Sequence, residues 1–93
     1  MFKDNLLKGK RILVTGGGTG LGKEMASHYG QHGADLYICG RRENVLKDTA
    51  TEIEDKYGVN VTYETLDIRA SADVEGYIDR IFQEAPLDGL VNN

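Results

Sequence analysis

The chain has 93 residues, 12 of them glycine, with 40% hydrophobic and 28% charged residues and a formal net charge of −4. That length holds at most one domain, and the acidic balance argues against nucleic acid or a membrane surface as the main partner. No apolar run approaches the roughly 20 residues that span a bilayer.

The N-terminal Met1-Phe2-Lys3-Asp4-Asn5 lacks the apolar stretch of a secretory signal, and one cysteine, Cys39, cannot form an internal disulfide. Both features point to a cytoplasmic protein in a reducing compartment. Arg11-Ile12-Leu13-Val14-Thr15 is short, apolar and β-branched, and is the first predicted strand. It runs into Gly16-Gly17-Gly18-Thr19-Gly20-Leu21-Gly22, after which Leu21, Met25, His28/Tyr29 and His32 recur at helical spacing as far as a glycine cap at Gly33. His28 and His32 stand four apart, but Tyr29 occupies the place where a zinc-binding H-E-x-x-H would carry its acid. They are read as solvated helix positions, and no metal site is expected.

Ala34–Cys39 reads as a second strand. Asn44 can cap a second helix with Leu46, Ala50, Ile53 and Tyr57 on one face, closed by Gly58. Val59–Leu66 alternates and forms a third strand. Ser71 is placed as the cap of a third helix carrying Val74, Ile78, Ile81 and Phe82, which Pro86 ends. Leu87–Val91 begins a fourth strand. The order β-α-β-α-β-α-β specifies an α/β, doubly wound parallel sheet of Rossmann type, with strand order 3-2-1-4. Ligands in such a sheet lie beyond the carboxyl ends of the strands, at the switch point between strands 1 and 4.

A glycine-dense turn between a strand and a helix is an anion site, because the free N–H groups and the positive dipole end of the helix's first turn meet a phosphate there. Three motifs compete for it. G-x-G-x-x-G fails in each register: from Gly16 it ends on Leu21, and from Gly18 on Lys23. A P-loop nearly fits from Gly17 to Lys23, but Glu24 stands where a hydroxyl must hold Mg²⁺. Thr-Gly-x-x-x-Gly-x-Gly matches completely, as Thr15, Gly16, Gly20 and Gly22.

That third motif resembles the cofactor loop of the short-chain dehydrogenase/reductase family. The resemblance continues in Asp67-Ile68, similar to the pair that meets the adenine ring, and in Leu90-Val91-Asn92-Asn93, similar to the start of the Asn-Asn-Ala-Gly turn. The run Gly17 to Met25 looks most like the branch containing 2,4-dienoyl-CoA and trans-2-enoyl-CoA reductases. By resemblance, Thr15, Gly16, Gly18, Thr19, Gly20, Leu21 and Gly22 surround the pyrophosphate, with Thr15 equally readable as a strand-end hydroxyl that steadies the turn. Asp67 and Ile68 meet the adenine, with turn capping as the other reading of Asp67; Asn92 belongs to the turn after strand 4. After strand 2 comes Gly40-Arg41-Arg42, with no acid before Glu43. An acid there would hold the ribose 2′-OH of NAD, whereas arginine binds a 2′-phosphate. NADP is therefore expected over NAD. Arg41 stands at the selecting position, Arg42 either assists it or is simply solvated at the helix start, and Thr19 can donate a hydroxyl to the same phosphate.

The family's catalytic Tyr-x-x-x-Lys is absent: Tyr29, Tyr37, Tyr57, Tyr63 and Tyr77 are followed four residues on by Gly33, Arg41, Val61, Asp67 and Ile81. No catalytic residue is assigned in the chain. Residues 1–93 are expected to be the N-terminal part of a dinucleotide-binding domain, ending before the catalytic region. Full length, the resemblance implies an oxidoreductase that moves a hydride to or from a carbonyl or enoyl small molecule and works as a homo-oligomer. The alternative is a complete small nucleotide-binding or structural domain without catalytic activity.

Overall fold

The structure, a computed structural model, describes residues 5–93; the N-terminal signal reading above falls mostly on residues 1–4, outside them. Four strands form one parallel sheet: β1 (Arg11–Thr15), β2 (Asp35–Gly40), β3 (Val61–Thr65) and β4 (Gly89–Asn92). Their order is β3-β2-β1-β4, the Rossmann-type arrangement expected from the alternation of elements. Register pairs Val14 with Ile38 and with Val91, and Ile38 with Tyr63.

Strands covered on both faces need apolar residues at every position rather than alternate ones. Ile12, Val14, Leu36 and Ile38 pack on one face beneath α1 (Gly20–Gln31) and α2 (Glu43–Tyr57), whose Ala26, Leu46, Ala50 and Ile53 complete that core. Leu13, Tyr37 and Cys39 point the other way, against Tyr77 and Ile81 of α3 (Ser71–Glu84). Tyr37 and Tyr77 meet edge to face, 6.5 Å between ring centres. Asp88 closes the start of β4, its carboxylate accepting the Arg11 N–H at 2.9 Å. Among the described residues no helix is long and apolar enough to cross a membrane.

The faces and caps differ from the sequence expectation in three places. α1 buries Gly22, Ala26 and Gly30, not Leu21, which is 63% exposed. The cause is closeness: a Cβ at Gly30 would lie 2.9 Å from the Ile53 side chain, so the helix approaches through its small residues. His28 and His32 pack edge to face on the outer side, with ring centres 4.7 Å apart. The last turn closes through Ala34 N–H to Tyr29 C=O and Gly33 N–H to Gly30 C=O, a Schellman arrangement around Gly33.

α2 is capped by Arg42 in extended conformation, not by Asn44, which lies inside the first turn. Starting at Glu43 lets the Leu46 N–H reach the Arg42 carbonyl while Leu46 and Thr49 face the sheet. α3 likewise begins one residue before its expected start, with Ala70 as cap and Ser71 already helical. Asp67 sets that boundary: its carboxylate accepts the Arg69 N–H at 2.9 Å and its carbonyl the Ala70 N–H at 3.0 Å. Gly58 closes α2 in the left-handed conformation, as expected.

Candidate functional site

The β1–α1 loop leaves the sheet at Gly16, whose φ is +67° and whose N–H donates to the Cys39 carbonyl at 2.9 Å. Each glycine then meets a different constraint. A Cβ at Gly17 would lie 2.5 Å from Ile38, and one at Gly18 would lie 3.2 Å from both Val45 and Leu46. A Cβ at Gly22 would lie 2.1 Å from the Gly16 carbonyl oxygen, so α1 can begin under its own loop only without a side chain. Gly20 is the opposite case: its φ is +56° and nothing lies within 4 Å of a Cβ position. There glycine keeps the left-handed backbone unstrained and the adjoining space open.

Thr19 is the extended N-cap of α1, and its side chain makes no capping bond. The first-turn N–H groups therefore keep their hydrogen-bonding capacity, at the positive end of a 12-residue helix. This is the electrostatics an anion requires; Gly20 and Leu21 are both exposed on that turn.

A cleft of about 180 Å³ opens between this loop and the end of β2. Gly16, Gly18 and Thr19 form one side, and Gly40, Arg41 and Arg42 the other. Val45, Leu46, Cys39 and Ile68 supply an apolar floor. Both arginines are exposed, and no carboxylate lines the cleft. The Cys39 thiol is fully buried, and burial pushes its pKa up to about 11. It is a neutral wall atom at ordinary pH.

The remaining candidates sit at the margins. Asp67 forms a two-point ion pair with Arg69, both contacts 3.1 Å. That pairing, the Arg69 backbone N–H and the nearby Arg41 charge hold its carboxyl down at about 2. Ile68, rather than Asp67, reaches the cleft. Thr15 is buried at the end of β1; its hydroxyl lies 3.1 Å from the Asn92 side-chain oxygen and accepts the Asn93 N–H at 3.0 Å. Thr15 and Asn92 thus join β1 to β4, and neither lines the cleft.

Two residues that were not among the expected cofactor contacts help to build the site. Thr49, buried on α2, donates its hydroxyl to the Gly18 carbonyl at 2.8 Å. Asn93 places its amide nitrogen 2.7 Å from where a Gly22 Cβ would stand. Thr49 was visible as a hydroxyl on the stripe Leu46, Ala50, Ile53. Asn93 was legible as the second residue of the Asn-Asn motif, though nothing local pointed to its approach to Gly22.

A profile described as short chain dehydrogenase matches residues 10–93. The chain belongs to the short-chain dehydrogenase family. Peroxisomal 2,4-dienoyl-CoA reductase of Arabidopsis thaliana is 37% identical over 92 residues, covering 98% of this chain and 30% of the relative. A citronellol catabolism dehydrogenase of Pseudomonas aeruginosa PAO1 superposes with a TM-score of 0.90 at 35% identity, over 100% of this chain and 39% of that one. L-Sorbose reductase of Gluconobacter frateurii, solved with NADPH and L-sorbose, gives 0.88 at 26% identity, over 97% and 35%. This short-chain dehydrogenase chain therefore spans about a third of the length of the curated relatives it matches.

Proposed function

We propose that the protein is an NADP-dependent oxidoreductase transferring a hydride to or from a carbonyl or enoyl substrate, with residues 1–93 supplying the adenosine and pyrophosphate part of the cofactor site. The observation that carries the reading is the cleft itself: Arg41 and Arg42 face Thr19 across it, with no carboxylate in its lining. The residues suit the group. Arg41 and Arg42 would hold the 2′-phosphate, the α1 first turn would hold the pyrophosphate, and Leu46 and Ile68 would flank the adenine. When bound, the nicotinamide supplies or accepts the hydride. This chain's own part is to fix the anionic end of the cofactor and exclude water from its adenosine. The NADPH bound in L-sorbose reductase supports a 2′-phosphorylated cofactor. We propose a cytoplasmic location, because the single cysteine cannot form an internal disulfide; the Arabidopsis relative is peroxisomal.

Arg41→Asp is the test, read by calorimetric titration with NADP⁺ and NAD⁺. A hydrogen bond to a charged group is worth about 1.5–3 kcal/mol, so NADP⁺ affinity should fall roughly 10- to 100-fold while NAD⁺ affinity holds or rises. Unchanged NADP⁺ affinity in that variant overturns the cofactor assignment.

A further inference from the structure

The hydrogen bond from Thr49 to Gly18 joins the loop side of the cleft to α2 across 31 positions of sequence. A helical threonine ordinarily turns its hydroxyl to a carbonyl one turn back in its own helix. Thr49, only 2% exposed, directs its proton to another element instead. Gly18 rests on the same helix, close to Val45 and Leu46, so α2 both seats and ties the loop.

We propose that Thr49 is a positioning residue for the phosphate loop, fixing the orientation of the Gly18–Thr19 peptide; this rests on the NADP reading above. Every described peptide bond is trans. In a planar trans peptide the C=O and N–H point in opposite directions. With the Gly18 carbonyl held toward α2, the Thr19 N–H is aimed to the other, exposed side of the loop. Without the hydroxyl nothing holds that carbonyl inward, and the peptide can rotate. An acceptor then replaces a donor on the side where a phosphate would lie. Arg41 belongs to the β2–α2 connection and is untouched by this bond. Thr49 therefore governs the binding of the phosphates common to NADP⁺ and NAD⁺, not the choice between them.

The test uses the full-length protein with Thr49→Val, which removes the hydroxyl at nearly constant shape, and Thr49→Ser, which keeps it. Both are titrated with NADP⁺ and with NAD⁺ well below their melting temperatures. Thr49→Val should weaken both by the same factor, about tenfold, and Thr49→Ser should stay within about threefold of the parent. A purely structural role would lower the melting temperature and leave both affinities alone. Thr49→Val binding within about twofold of the parent overturns the proposal. So does a change in the NADP⁺/NAD⁺ ratio, or a serine variant as weak as the valine one. Should Thr49→Val not fold, Thr49→Ala is read by the same criteria. A parent protein that binds neither nucleotide overturns the NADP reading and this proposal together; a parent that binds beside an unaffected Thr49→Val overturns this proposal alone.

Discussion

Replacing Gly22 with alanine should destabilise the protein even though alanine is the better helix former. A Cβ there would sit 2.1 Å from the Gly16 carbonyl oxygen, against a comfortable carbon–oxygen contact of about 3.3 Å, so something must move by about 1.2 Å. Gly16 resists the move, because its N–H is bonded to Cys39 in β2 and its φ of +67° is set by the turn. Overpacking against backbone costs about 3 kcal/mol at the upper end of its range, and a strained loop hydrogen bond about 1 more. The gain in helix propensity offsets about 1 kcal/mol. The net loss is about 3 kcal/mol, a large share of the ~5–15 kcal/mol typical of a domain. In urea, at about 1.5 kcal/mol per M, the unfolding midpoint should fall by about 2 M. Gly76→Ala is the control of opposite sign. In α3 the new Cβ meets only the flexible end of Arg80, at 3.5 Å, so stability should rise by up to ~1 kcal/mol. If Gly22→Ala is as stable as the parent, or if both variants shift the midpoint the same way, the close-approach reasoning fails.

Gly20→Val should keep the far-UV circular dichroism and lose NADP⁺ binding. The branched side chain strains a φ of +56° by roughly 1–2 kcal/mol and fills the open space beside the first turn of α1; near-parent affinity by titration would show that the phosphates lie elsewhere. Cys39 should react with a disulfide reagent at pH 8 far more slowly in the folded chain than in urea, and equal labelling rates would contradict its burial. The unfolded thiol ionises near its ordinary pKa of 9 and the folded one near about 11, so this group's contribution is intact below pH 9 and stability falls as pH rises between those values.

The strand order and the glycine loop were readable in the sequence because each rests on local rules. A strand buried on both faces must be apolar throughout, as Ile12-Leu13-Val14 and Leu36-Tyr37-Ile38-Cys39 are, and a left-handed turn admits little but glycine. What failed was the choice between neighbouring faces of α1. Periodicity favoured the large Leu21 and Met25, whereas contact distance favoured Gly22, Ala26 and Gly30, and distance is a tertiary quantity. The caps of α2 and α3 failed for a related reason. Asn44 and Ser71 are good capping residues, but the burial of Leu46 and the turn around Asp67 set the helix starts. The ties from Thr49 to Gly18 and from Asn93 toward Gly22 join distant segments, so no window of sequence contains them.

Net charge illustrates the same separation of scales. A chain of −4 is a poor match for a polyanion surface, yet the proposed ligand is itself strongly anionic. The conflict disappears at the range over which charges act. Exposed groups are screened beyond about 8–10 Å at ordinary ionic strength, so the acids scattered along the outer faces of α2 and α3 contribute little at the cleft. What counts there is the pair Arg41 and Arg42, the positive end of α1, and the acids closest to them. Among these, Asp67, whose carboxylate is coupled to Arg41, is already paired with Arg69 through two contacts. Arg69 thus does more than close a turn. It offsets a negative charge that would otherwise oppose a phosphate beside Arg41.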